Sequence, residues 1–329
     1  MFPSSFLLRA LAVIAGAVAL FGLADGARAA GKIEEIHIDY AYYNPVSLVL
    51  KDKGILEEEF KKDGIAVRWV LSLGSNKALE FLNAKSLDFG SSAGGAALLA
   101  RINGNPVKSI YVYSKPEWTA LVTQGNSSIQ KVPDLAGKRI AVTRGTDPHI
   151  FLIRALARFG LSSKDVKLVL LQHQDGRLAL EKGDVDAWAG LDPLMAQAEL
   201  ENGARLFYRD ADANTYGVLN AREDFLADHP DLVARVIAAY EKARLWALAH
   251  PAELKKIIAA GAKISEEVAA RQLDRTDLTD PTIGARQKDS ILAAGLALQQ
   301  AGVIPADIEV PAATTSLIES SFTKKIVVK

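Results

Sequence analysis

The chain contains no cysteine. Disulfides, a thiol nucleophile and a thiolate metal site are therefore excluded. Histidine is scarce as well: His37, His149, His173, His229 and His250 show neither the HxxxH nor the HxH spacing that brings two imidazoles to one ion. No metal and no other cofactor is expected. Charge of one sign is also lacking, with 39 Lys and Arg against 39 Asp and Glu. A balanced chain offers no field for nucleic acid or an anionic membrane, so any preference for a charged ligand must be built locally. No Gly-x-Ser-x-Gly elbow, Walker loop or dinucleotide fingerprint occurs. Nothing in the sequence requires catalysis.

Long apolar runs are confined to the N-terminus. Arg9 precedes an uncharged, mostly apolar stretch over residues 10–24, and Ala27-Arg28-Ala29 follows as a small-x-small cleavage pattern. This is the layout of a secretory signal peptide cleaved near Ala29, and the run falls short of the roughly 20 residues a bilayer span needs. With no cysteine after it, a lipid anchor is excluded. The mature chain is expected to be soluble and exported to the periplasm. Removing residues 1–29 takes away Arg9, Arg28 and Asp25 and leaves one more acid than base. About 300 mature residues suit two domains better than one.

What the chain does contain is a repeated plan. Residues 82–92 read LNAKSLDFGSS, and residues 180–190 read LEKGDVDAWAG. Each is a helix end, a polar turn, then a branched residue and Asp (Leu87-Asp88, Val185-Asp186) entering a short apolar strand. Upstream, residues 38–56 and 140–161 are both strand, polar loop, helix and a Gly followed by Ile or Leu. A strand–loop–helix plan written twice predicts two similar α/β lobes with a cleft between them.

The periodicity predicts strands at 33–40, 66–71, 87–90 and 107–113, with helices at 47–60, 75–84 and 94–102. Ser75 or Asn76 is the expected N-cap of the second helix. Residues 118–124 read as the strand leaving the first lobe. The second lobe then runs through strands 139–143, 166–171 and 186–190, with helices 148–159, 176–181 and 193–200. Residues 216–220 return the chain, and the remainder is helical. The expected division is lobe one over 30–121, lobe two over 122–217, and a return to lobe one over 218–329. Short connections between alternating elements argue for mostly parallel sheets with helices on both faces.

The cleft of such a fold is lined by loops at the carboxyl ends of strands. Tyr43 and Asn44 lie in one, Ser91 and Ser92 in the small-residue segment 90–95, Thr146, Asp147 and His149 in a third, Trp188 and Asp192 in a fourth. Two of these deliver helix N-termini with little bulk in the way, where unpaired N–H groups and the helix dipole suit a small oxyanion. Both also read as ordinary structural caps, with Asp147 or Thr146 capping and Pro148 at the first helical position. Asp192-Pro193 reads the same way, and Trp188 equally as core.

On these residues the chain resembles the periplasmic substrate-binding proteins of ABC importers, of the aliphatic sulfonate, taurine and nitrate type. LNAKSLDFGSS, the Gly-Thr-x-x-His segment within 140–155, and GDVDAWAGLDP at 183–193 carry the likeness. It implies a type II periplasmic-binding-protein fold: two α/β lobes around a ligand cleft, joined by two crossovers. It further implies a monomer that closes on a small sulfonate-like anion and docks on a permease and its ATPase. Ser91, Ser92, Thr146 and His149 would contact the anionic head. Tyr43 and Asn44 would line the first lobe's cleft edge, Trp188 and Asp192 the second's, and Arg275 would supply a basic group. The chain departs from the better-known members at Asp147-Pro148, where they carry small hydroxyl residues, and at Leu191, where they carry an aromatic one. An acid at 147 would favour a zwitterion such as taurine, or a ligand with a separate cationic end. Nitrate, an aromatic sulfonate and a pyrimidine-type vitamin precursor are the alternative ligands. An exported enzyme with His149 and Asp192 as an acid–base pair is the alternative of another class.

Overall fold

The computed structural model describes residues 33–324. The expected signal peptide lies outside them. The first lobe opens with β1 (Glu35–Tyr40), α1 (Pro45–Asp52), α2 (Ile55–Phe60), β2 (Ala66–Leu71) and α3 (Ser75–Asn83). It continues with β3 (Phe89–Ala93), α4 (Gly94–Ile102) and β4 (Val107–Pro116). The helix expected over 47–60 is two helices, because Gly54 at φ 60° turns the chain between them. Asn44 caps α1, its side chain accepting from Ser47 N at 3.1 Å.

The chain then crosses to a second sheet. There follow β5 (Leu121–Thr123), β6 (Arg139–Val142), α5 (Asp147–Arg158), β7 (Lys167–Leu170) and α6 (His173–Lys182). Next come β8 (Ala187–Ala189), α7 (Leu194–Asn202) and β9 (Arg205–Tyr208), a strand the sequence pattern had not suggested. A second crossing returns the chain through β10 (Gly217–Arg222), α8 (Glu223–Asp228), α9 (Pro230–Ala249), α10 (Pro251–Ala262) and α11 (Glu266–Leu273). Then β11 (Thr276–Asp277), α12 (Ala285–Gln300), α13 (Val310–Leu317) and α14 (Ser321–Lys324) close the described chain. No helix among the described residues is long and apolar enough to cross a membrane.

The two sheets share one plan. The first has the order β11-β4-β10-β3-β1-β2, the second β7-β6-β8-β5-β9. In each, a central strand pairs parallel with an earlier strand (β3 with β1, β8 with β6) and lies beside an antiparallel strand entering from a crossover (β10, β5). The repeated Asp has a structural reason. Asp88 accepts from His37 N at 2.8 Å and its own N–H donates to His37 O at 2.8 Å. Asp186 does the same with Arg139, at 2.8 and 2.9 Å. Each carboxylate thus completes the strand pairing one residue beyond the ladder, satisfying a backbone donor that would otherwise go unpaired.

Alternation places the core. In β6, Ile140 and Val142 face one side of the second sheet with Phe151 and Leu152, while Ala141 faces the other with Trp188, Val122 and Leu180. The first lobe buries a larger core that takes in Ile36, Ile38, Phe89, Tyr111 and Leu219.

One element differs from expectation in a way that matters for the site. The sequence reading ends the third strand at Gly90 and opens a ligand loop there, but β3 runs on to Ala93, paired with β10 throughout. Gly90, Ser91 and Ser92 are small because they sit inside a sheet covered on both faces. Gly94 and Gly95 are small because helices close on them. A Cβ at Gly94 would stand 2.6 Å from Ile291 Cγ1, and one at Gly95 would stand 2.9 Å from Ile150 Cδ1.

Candidate functional site

The residues singled out from sequence divide into two groups. Ser91 Oγ donates to Asp39 Oδ1 at 2.9 Å and accepts from Asn44 Nδ2 at 2.8 Å, and Ser91 O accepts from Tyr43 Oη at 3.0 Å. Ser92 Oγ accepts from Asn220 Nδ2 at 2.8 Å. The first N–H groups of α4 are spent as well: Gly94 N donates to Tyr216 O at 2.8 Å and Gly95 N to Thr215 Oγ1 at 3.2 Å. The expected anion cradle at 90–95 is therefore buried, and its two serine hydroxyls and the first N–H groups of α4 are bonded within the protein. Burial raises the Asp39 carboxyl to about 6, against the bonds from Ser91 that lower it.

The loop before α5 is similarly occupied. Thr146 Oγ1 donates to Thr143 O at 2.6 Å. Asp147 does not cap its helix. Its carboxylate accepts from Trp118 Nε1 at 2.8 Å, Thr215 N at 2.9 Å and Thr215 Oγ1 at 2.7 Å, all on the two crossovers. Burial raises its pKa against these bonds. His149 is buried with Nδ1 unpartnered, and burial, then Arg144, lowers its pKa to about 4. Trp188 stands within the second lobe, not at its cleft edge; a Cβ at Gly176 would lie 2.9 Å from its Nε1.

Asp192 and Arg275 do meet, across the lobes. Arg275 Nη1 lies 3.3 Å from Asp192 Oδ2, and its other nitrogen pairs with Glu199 of α7. Asp192 Oδ1 also accepts from Ala196 N at 2.9 Å, so it caps α7 from one position further upstream than expected, with Pro193 as the N-cap. Burial raises its carboxyl to about 7 although Arg275 pulls it down.

Beside this ion pair a cavity of about 400 Å³ opens between the lobes. The first lobe contributes Tyr42, Tyr43, Ser72, Leu73 and the α10–α11 turn at Lys263 and Ile264. The second contributes Gln172, His173 and Arg177 of the β7–α6 turn and α6, and Leu191 to Leu194. Tyr43 and Asp192 are thus the two predicted residues in its wall. Among the wall residues, both ring nitrogens of His173 and Arg177 Nε are buried without a hydrogen-bond partner, and the Ser72 hydroxyl lies beside the Asp39 carboxylate. Burial lowers His173 to about 3, so the imidazole is neutral at pH 7. Ser72 and the His173 turn went unnoticed in the sequence, although both follow strands and the strand-end rule applies to them equally.

Residues 58–254, more than half of the chain, match the family described as NMT1/THI5 like. The chain belongs to that family. It is 28% identical over 265 residues, 78% of its own length and 80% of the relative's, to a Bacillus subtilis (strain 168) protein named for binding aliphatic sulfonates. A protein of Escherichia coli (strain K12) with the same name is 31% identical over 185 residues, covering 56% of this chain and 57% of the relative. Among solved structures, the alkanesulfonate-binding protein SsuA from Xanthomonas axonopodis pv. citri, bound to MOPS, superposes with a TM-score of 0.78 at 24% identity. That match covers 88% of this chain and 99% of the other. The fold is therefore the periplasmic-binding-protein fold, two lobes around a cleft.

Proposed function

We propose that this chain is the periplasmic solute-binding component of an ABC importer, taking a small sulfonate-like anion into the cavity between its lobes. The observation that carries the reading is that cavity: its walls come from both lobes, with Tyr43, Ser72, Gln172, His173 and Arg177 among the polar residues set in an otherwise apolar lining. Because both lobes supply contacts, binding favours the closed form by the difference in affinity between closed and open states. A permease and its ATPase would read that closure. The names of the aligned relatives support the ligand class.

The size of the cavity favours a sulfonate with an apolar body over nitrate, since Tyr42, Leu73, Leu191, Leu194 and Ile264 line it. Binding without turnover is the role assigned, with Tyr43 and Asp192 as wall residues. Ser91 supports the wall from behind, its carbonyl accepting from the Tyr43 hydroxyl. A thermal-shift and calorimetry panel of butane-1-sulfonate, an aromatic sulfonate, taurine and nitrate tests the reading. A ligand at 100 times its Kd adds about 2.7 kcal/mol of stability. Failure of every sulfonate to shift the melt, or turnover of any of them, overturns the proposal.

A further inference from the structure

Leu73 is 54% exposed, although it sits between residues that are held fast. Ser72 N donates to Tyr40 O at 3.0 Å, and Ser75 Oγ accepts from Ala93 N at 3.0 Å. Gly74 is closed in, since a Cβ there would stand 2.8 Å from Asn76 Oδ1. The β2–α3 turn is thus pinned on both sides of Leu73, and the pinning presents this side chain outward. Leu73 packs into none of the hydrophobic cores of the described residues. It lies instead on the wall of the cavity between the lobes, with Leu191, Leu194 and Ile264. A lone exposed leucine elsewhere on a surface needs no explanation. One held at the rim of a largely apolar cavity lacks only something to cover it.

The size of the cavity says what that is. A water-sized group claims about 30 Å³ of a liquid, so a cavity of about 400 Å³ takes about a dozen non-hydrogen atoms. A sulfonate group accounts for about a third of them and leaves room for a body of about eight carbons. Charge narrows the body further. Asp192 is the one carboxylate on the wall, and Arg275 already pairs with it at 3.3 Å. Asp147 is engaged by Trp118 and Thr215, away from the wall. An ammonium at the far end of the ligand would meet no free acid.

We propose that this protein selects sulfonates with a long, uncharged hydrocarbon body of about eight carbons, and that Leu73 reads its length by covering the outer end of the chain. This rests on the functional reading above and names the substrate class within it. A body that stops short leaves Leu73 in water. One that reaches it removes the exposed face of the leucine from water together with its own last carbons.

The test is calorimetry with ethane-, butane- and octane-1-sulfonate, and with taurine against propane-1-sulfonate, at pH 8, where Asp192 is ionised. Affinity should rise about fourfold per added methylene, with a heat-capacity change of binding that grows more negative along the series. Leu73→Ala should weaken octane-1-sulfonate at least about fivefold and leave ethane- and butane-1-sulfonate unchanged. Leu73→Gln, which keeps a side chain of similar size, should do the same. Leu245→Ala on α9, 53% exposed and outside the cavity wall, is the control and should change none of them. Taurine should bind at least about tenfold more weakly than propane-1-sulfonate. If the wild type binds butane-1-sulfonate but octane-1-sulfonate no tighter, the length reading is wrong and the function stands. The same holds if Leu73→Ala and Leu245→Ala bind octane-1-sulfonate equally well. Taurine binding as tightly as propane-1-sulfonate overturns the uncharged body. If the wild type binds no sulfonate, the functional reading and this inference fall together.

Discussion

Asp147 and Thr215, in different parts of the chain, are joined by two hydrogen bonds, Thr215 N to Oδ2 at 2.9 Å and Thr215 Oγ1 to Oδ1 at 2.7 Å. Trp118 Nε1 reaches the same carboxylate from the other crossover. A single side chain on the second lobe thus ties together both segments about which the lobes must turn. Asn214 braces the same place, its Oδ1 accepting from Thr119 N at 2.9 Å.

Replacing Asp147 by Ala strands three buried donors, each worth about 1–3 kcal/mol, so we expect a loss of about 3 kcal/mol or more in urea unfolding. Asp147→Asn keeps one acceptor oxygen and should lose less. Equal stability of Asp147→Ala and the wild type would remove the carboxylate from this role.

Arg275→Ala leaves Asp192 and Glu199 facing each other without their shared cation. Breaking a buried pair from one side costs about 3–5 kcal/mol, and here the cost falls on the closed form. Small-angle scattering should show the ligand-free variant more open than the wild type. An unchanged radius of gyration in both ligand states would count against an inter-lobe clasp.

The pKa of Asp192 is raised in the folded protein, from 3.8 to about 7. The native state therefore holds this proton more tightly than the unfolded chain, and the contribution is full below 3.8 and lost as pH rises through about 7. The stability difference between wild type and Asp192→Asn should change across that window and be flat above it. A flat difference throughout refutes the assignment.

His173 runs the other way. Burial lowers its pKa from 6.5 to about 3, so its neutral form stabilises the fold above 6.5 and that contribution is lost as pH falls toward about 3. Compared with His173→Gln, the wild type should lose up to about 1.4 kcal/mol per pH unit in that range. Chemical denaturation at pH 7, 5.5 and 4.5 reads the slope.

Gly217→Ala probes the sheet beneath the site. The added methyl would stand 2.3 Å from Tyr113 Cε2, inside a fully buried layer. Overpacking of this kind costs about 1–3 kcal/mol, measurable as a shift in the urea midpoint with an unchanged slope.

The fold was legible because its signal is periodic and doubled: alternating strands and helices, and an Asp placed alike in each half. Leu87-Asp88 and Val185-Asp186 mark equivalent strand entries because both carboxylates bond the neighbouring strand's backbone. What the pattern could not separate was a small residue in a loop from a small residue in a strand. Gly90 to Ala93 lack bulk because β10 and the covering helices leave no room, and local composition reads that as openness. β9 was missed because its four half-buried residues carry little alternation. The cavity was missed in part for a different reason. Ser72, His173 and Arg177 come to one wall only where the two lobes meet, which is a property of three-dimensional neighbours, not of spacing.

The position of β10 between β3 and β4 sets an order of assembly. The second sheet is built from one continuous stretch, β5 to β9, and can form as soon as that stretch is available. The first cannot close until residues 217–222 arrive to fill the slot in its middle, after the whole of the second lobe has been made. Such long-range closure is slow relative to local pairing. In pulsed hydrogen exchange during refolding, amides of β6 and β8 should gain protection before those of β3 and β10. The later lobe spends that interval with two unpaired strand edges, so it is the half most exposed to aggregation.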